Sequence, residues 1–141
     1  MIDYENKTDA KYSLELIKKI TDSLTKQDVE LILTCNSEIR EINSEFRSID
    51  KATDVLSFPN KPMPFAPLGS IVISDDYVKK VSLELGHDRE DEFTLLYIHG
   101  LLHLLGFDHE LDGGEMRQKE QILIEKYDLP ESLIVRTQKE N

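Results

Sequence analysis

The chain has 141 residues, a mass of 16.3 kDa, 39% hydrophobic and 32% charged residues, and a formal net charge of −11 from 17 basic and 28 acidic side chains. This size and apolar content suit one domain around one core and exclude a disordered chain, and no apolar run nears the roughly 20 residues of a membrane span. The acidic balance argues against broad, nonspecific nucleic-acid binding but leaves room for a local cationic site, and the single cysteine, Cys35, excludes an internal disulfide.

The N-terminal segment MIDYENKTDAK has no basic stretch followed by an apolar one, so a cytoplasmic chain without a secretory signal is expected. Residues 2–5 read as a short first strand. Residues 12–25 carry Leu14, Ile17, Ile20 and Leu24 on one stripe and predict an amphipathic helix. Residues 28–34 (DVELILT) suit a strand buried on at least one face. It ends at Cys35, which this pattern places in the core. Residues 37–47 are helical again, with Ile39, Ile42 and Phe46 in register.

Residues 54–58 (DVLSF) are β-prone and stop at Pro59. Four of the five prolines lie between positions 59 and 67, which makes that stretch a loop. Residues 68–74 (LGSIVIS) form the next strand. Ser74, Asp75 and Asp76 can cap a helix running to Leu85, where Gly86 stops it. His87 follows in the polar stretch GHDRED and is expected in an exposed loop. Residues 90–105 make the most apolar helix, and residues 114–127 the last one, before Pro130. The expectation is an α+β fold: a small mixed four-stranded sheet packed with about five helices, in one domain over residues 1–141. The polar tail at residues 137–141 is expected to be disordered.

Three of the four histidines fall in the window 99–109, HGLLHLLGFDH. His99 and His103 are four apart, so on a helix they share a face one turn apart. Gly106 tolerates the left-handed conformation that ends a helix, which lets the chain turn back and bring His109 to the same point. Three imidazoles from a helix and its following turn can hold one metal ion and leave a fourth position open for water, the mark of a catalytic zinc site. Imidazole ligands without thiolates favour Zn²⁺ but also suit nickel or copper.

The spacing HxxxHxxGxxH matches that of the metzincin zinc proteases, but Gly100 stands where those enzymes carry the glutamate that acts as general base. Met116, only seven residues past His109, makes a poor Met-turn. The likeness concerns the metal scaffold and not peptide hydrolysis.

HGLLHLLGFDH closely resembles the signature of the YbeY family of rRNA-maturation endoribonucleases. Asn43, Phe46 and Arg47, then TDVLSFP at 53–59 and LGSIVIS at 68–74, agree with that family in order and distance. The resemblance spans roughly residues 28–127. One departure is Ser70, where the family commonly has aspartate. The resemblance implies a compact α+β domain with a mixed sheet beside a helix bundle. It further implies a metal-dependent, single-strand-specific endoribonuclease acting on ribosomal RNA, notably at the small-subunit 3′ end, and in ribosome quality control.

On this reading His99, His103 and His109 hold one Zn²⁺ per chain. Arg47, matched to the family's arginine, is the candidate catalytic cation for a phosphodiester, since a guanidinium pairs two phosphate oxygens. Asp108, beside a ligand, either orients a histidine or touches bound water, or else is a plain turn residue. Asp54 and Ser57 are candidates to line a substrate groove. The expected partners are ribosomal RNA and the small ribosomal subunit or its proteins, and the chain is expected to be a monomer with no membrane contact. Two other readings are a ribosome-associated assembly factor with a mainly structural metal site and a metal-dependent hydrolase of another substrate.

Overall fold

The computed structural model describes residues 1–130, so the expectation for residues 137–141 lies outside the described residues. Four strands, β1 (Ile2–Asn6), β2 (Val29–Thr34), β3 (Val55–Pro59) and β4 (Gly69–Ser74), alternate with helices α1 (Glu15–Leu24) and α2 (Asn36–Arg47). Helices α3 (Asp75–Leu85), α4 (Arg89–Leu104) and α5 (Glu115–Tyr127) follow. The strand order is β1-β2-β4-β3, with β1, β2 and β4 parallel and β3 antiparallel at the edge, as the mixed-sheet expectation requires.

Alternation along the strands divides the core. Leu31, Leu33, Ile71 and Ile73 face α1 and α4 and join the main cluster with Ile17, Ile20, Phe93 and Leu96. On the other face, Leu56 and Val72 pack against Ile39 of α2. Both faces of the two central strands are therefore covered, which explains why β2 and β4 read as nearly continuous apolar runs. Helix α4, apolar on most sides, lies inside this core, so its C-terminal half is held by the sheet. No helix among the described residues is long and apolar enough to cross a membrane.

Several local expectations are corrected. Helix α1 starts at Glu15 rather than residue 12. Tyr12 instead stacks flat on Phe93 at 4.5 Å between ring centroids and donates its hydroxyl to Asp75, and this tertiary contact keeps the preceding residues out of the helix. The expected cap of α3 is not formed: Ser74 makes no side-chain cap hydrogen bond to its own helix, and with Asp76 it serves α2 instead. Ser74 donates to Asn36 Oδ1, and Asp76 accepts from the backbone N–H of Asn36, so the acid caps α2 across the sheet end.

Cys35 is exposed, not core. The strand stops at Thr34, and Cys35 sits at the turn into α2, where the Glu38 amide draws its thiol below the usual range. His87 is not an exposed loop residue: its side chain is mostly buried and its Nε2 lies 2.9 Å from Glu92 Oε1.

Candidate metal centre

The C-terminal half of α4 carries His99 and His103 on one face. The helix ends at Leu104, and Gly106 takes a φ of +100°, a conformation that favours glycine. The turn is closed by Gly106 N–H to the His103 carbonyl and Phe107 N–H to the Leu102 carbonyl, each 3.0 Å. That reversal brings His109 back to the helix. One ring nitrogen from each of the three histidines lies within 4.8 Å of the others.

The hydrogen bonds fix two tautomers. His103 Nδ1 is 3.0 Å from the Phe107 carbonyl oxygen, which can only accept, so Nδ1 carries the hydrogen. His99 Nδ1 lies 3.4 Å from Glu120 Oε1, and a carboxylate likewise accepts. Both Nε2 atoms then hold free lone pairs, and they are 3.2 Å apart. Two acceptors at that distance repel unless a cation lies between them. Two nitrogen ligands on a tetrahedral Zn²⁺ would be about 3.3 Å apart from the usual Zn–N length. His109 Nδ1 is buried without a hydrogen-bond partner among the described residues. The donor set, the spacing and the unsatisfied nitrogen all fit a metal ion.

Burial first, and then the neighbouring His99, lower the pKa of His103 below the ordinary imidazole range. A neutral ring at pH 7 is the form that ligates. The acidic first turn of α4 (Glu90, Asp91, Glu92) lies at the far end of the helix, and the C-terminal end of its dipole favours a cation near the histidines.

The triad borders a cleft of about 550 Å³. One wall is edge strand β3 with Val55 and Ser57, preceded by Asp54, and the other is the turn from Gly106 to Glu110. Arg47, in the last turn of α2, also lines it. Its Nη2 donates to the Ser57 carbonyl at 2.9 Å, and its guanidinium lies over the Phe58 ring, 5.5 Å from the centroid. The sequence therefore named the three histidines, Arg47, Asp108, Asp54 and Ser57, and the fold brings them all to one cleft.

Of the readings open for Asp108, the turn contact is the one present. Asp108 Oδ1 accepts from Glu110 N–H at 3.0 Å, and no imidazole is bonded to that carboxylate among the described residues. It shapes the turn that carries His109. The groups that orient histidines are the Phe107 carbonyl and Glu120, neither of which sequence reasoning named. Glu120 had left a signal: it is an acid on the buried stripe Met116, Glu120, Leu123, Ile124 of α5. Ser70 pairs with Phe58 and Glu30 on the face of the sheet turned away from α4, and its hydroxyl donates to Glu30 Oε1. The departure at Ser70 therefore lies across the sheet from the histidines.

Comparison with known proteins agrees with this arrangement. Endoribonuclease YbeY from Sulfurimonas denitrificans is 56% identical over 138 residues, covering 98% of this chain and 99% of its own length. The enzyme of the same name from Nautilia profundicola is 57% identical over 138 residues, covering 98% and 99%. The solution structure of TM1509 from Thermotoga maritima superposes with a TM-score of 0.61 at 28% identity, covering 89% of this chain and 87% of that one. The family model described as Endoribonuclease YbeY matches residues 2–128. With a near-complete family match and relatives above half identity, the chain belongs to the endoribonuclease YbeY family.

Proposed function

We propose that this chain is a zinc-dependent, single-strand-specific endoribonuclease. It acts in ribosomal RNA processing, notably at the 3′ end of the small-subunit RNA, and in ribosome quality control. It works in the cytoplasm as a monomer, with the small ribosomal subunit or its proteins as partner. The observation that carries this reading is the triad of facing imidazoles in one cleft with Arg47.

His99, His103 and His109 hold the ion. When bound, it supplies Lewis-acid chemistry at a phosphate oxygen or at water. Arg47 binds the scissile phosphate. Its planar fork has donors beyond the one given to Ser57, and its cation offsets the charge that grows on the phosphate during cleavage. The Ser57 carbonyl and the Phe58 ring hold that guanidinium in place. The site is a cleft between β3 and the 106–110 turn, which admits a bent single strand more readily than a rigid duplex with its phosphates on a convex surface.

With a net charge of −11 there is little long-range pull on RNA. Affinity then comes from the metal, Arg47 and a ribosomal partner, which gives weak binding to naked RNA. Peptide hydrolysis is disfavoured because Gly100 supplies no carboxylate at the position of the protease base.

The test is cleavage of small-subunit 3′ precursor RNA, single-stranded and in duplex form, by zinc-loaded protein with and without small subunits. Cleavage confined to single strands, lost in His103→Ala and Arg47→Ala, is expected. No cleavage under any of these conditions by protein with one zinc per chain would overturn the nuclease reading in favour of an assembly factor.

A further inference from the structure

Helix α5 contributes one charged residue to the interior. Glu120 is 1% exposed, between Met116 and the Leu123–Ile124 pair. Its Oε1 faces His99 Nδ1 at 3.4 Å, and its Oε2 is buried without a hydrogen-bond partner. Among the described residues no lysine or arginine pairs with it. Burying a carboxylate this way is costly, and an apolar side chain of similar size would be expected to pack there at no loss of stability. Neither the fold nor the proposed RNA contacts use it.

The three histidines are not equally supported. His103 gives its Nδ1–H to a neutral backbone carbonyl, and no carboxylate pairs with His103 or His109 among the described residues. Of the three, His99 is the one whose ring nitrogen lies beside a carboxylate oxygen within ion-pair distance among the described residues. Three neutral imidazoles bring no negative charge to a divalent ion, so one buried carboxylate behind them changes the electrostatics of the whole site.

We propose that Glu120 is a positioning residue for the metal. It accepts the hydrogen of His99 Nδ1, which fixes the ring with its Nε2 lone pair toward the ion, and it supplies the negative charge that the ligands lack. Because Glu120 belongs to α5 and His99 to α4, metal loading also ties α5 to the core. This inference rests on the triad holding a metal, and not on what the loaded protein cleaves.

The test uses the full chain as wild type, Glu120→Leu and Glu120→Gln. Zinc affinity is measured by competition with a chromophoric chelator, alongside thermal unfolding of the metal-free and zinc-loaded forms. Glu120→Leu should bind zinc about 10–100-fold more weakly. Its metal-free form should melt no lower than wild type, because a buried carboxylate without a cationic partner is gone. Glu120→Gln keeps an acceptor for His99 and loses the charge, so its affinity should fall between the two. Amide exchange across α5 should quicken on chelation in wild type and change little in Glu120→Leu.

Zinc affinity within twofold of wild type in both variants would overturn the proposal. So would an equal drop in melting temperature with and without zinc, which is the mark of a merely structural role. If Glu120→Leu does not fold, the affinity of Glu120→Gln decides alone. A wild type that binds no zinc overturns the metal reading of the triad at the first titration, before any variant is compared.

Discussion

A Cβ atom placed on Gly100 would lie 2.9 Å from Ile71 Cγ2 and 3.3 Å from Ile71 Cγ1. The backbone of α4 is pressed against β4 at the residue that follows His99. This contact explains why the chain departs from the protease pattern there. The likeness to metzincins stops at the histidine spacing because the sheet occupies the space a side chain would need.

Gly100→Ala should therefore destabilise the protein. Alanine gains about 1 kcal/mol in helix propensity over glycine, but overpacking against a β-branched residue of a central strand costs about 1–3 kcal/mol. A net loss of up to about 2 kcal/mol in urea unfolding is expected from these two terms. Zinc affinity should drop as well, since α4 carries two ligands and must shift. A stabilised variant would show that β4 yields to the extra methyl group.

Arg47 is exposed, so removing it should leave the fold intact, with a stability change within about 0.5 kcal/mol. Its effect should appear in turnover. Arg47→Ala should lower the cleavage rate about 10²–10³-fold, the usual loss for one donor to developing charge. Arg47→Lys should recover only part of this, because an ammonium cannot both bond the Ser57 carbonyl and present a fork to phosphate. Zinc content should not change in either variant. Single-turnover cleavage with metal analysis of the same samples checks both statements, and an Arg47→Ala enzyme of full activity would remove Arg47 from the mechanism.

His103→Ala should release the metal, since it removes one of three ligands and leaves the His99 ring without its neighbour at 3.2 Å. The main core cluster includes no histidine, so the secondary structure seen by circular dichroism should persist. Loss of zinc together with loss of the helical signal would instead mark the metal as a folding element.

The site's ligands were legible because helix period and turn chemistry act locally. His99 and His103 share a face at any i, i+4 spacing, and Gly106 takes the positive φ its position demands. The strands and most helix boundaries were legible for the same reason: β2 and β4 announce themselves by apolar runs, and Gly86 ends α3 at a φ of +71°. What escaped was set by contacts between distant segments. Asp76 caps α2, 40 residues away, rather than its own helix, and Tyr12 leaves α1 to stack on Phe93. Glu120 reaches His99 across 21 residues, and nothing in the α4 motif points to it. Cys35 was misplaced because an apolar run gives no sign of which residue turns first out of the sheet.

Tyr97 supplies a pH dependence remote from the site. It is fully buried, and its hydroxyl is 2.7 Å from Thr21 Oγ1. Burial raises its pKa from 10.0 to about 12, with a smaller opposing effect from the Thr21 hydrogen bond. The folded state thus keeps the phenol neutral where the unfolded chain ionises it. That contribution to stability is complete below pH 10 and is lost as pH rises from 10 through 12, a change of up to about 3 kcal/mol. Tyr97→Phe removes this alkaline loss. At pH 8 it should cost about 1 kcal/mol for the missing hydrogen bond, limited because Thr21 Oγ1 still donates to the Ile17 carbonyl. The two stability curves should therefore cross above pH 10, with the variant the more stable at the alkaline end. Some alkaline slope should remain in the variant, since the hydroxyls of Tyr12 and Tyr4 also have raised pKa values. Urea unfolding at a series of pH values from 8 to about 12 measures the crossing directly, and parallel curves would mean that Tyr97 ionises in the folded protein as readily as in the unfolded chain.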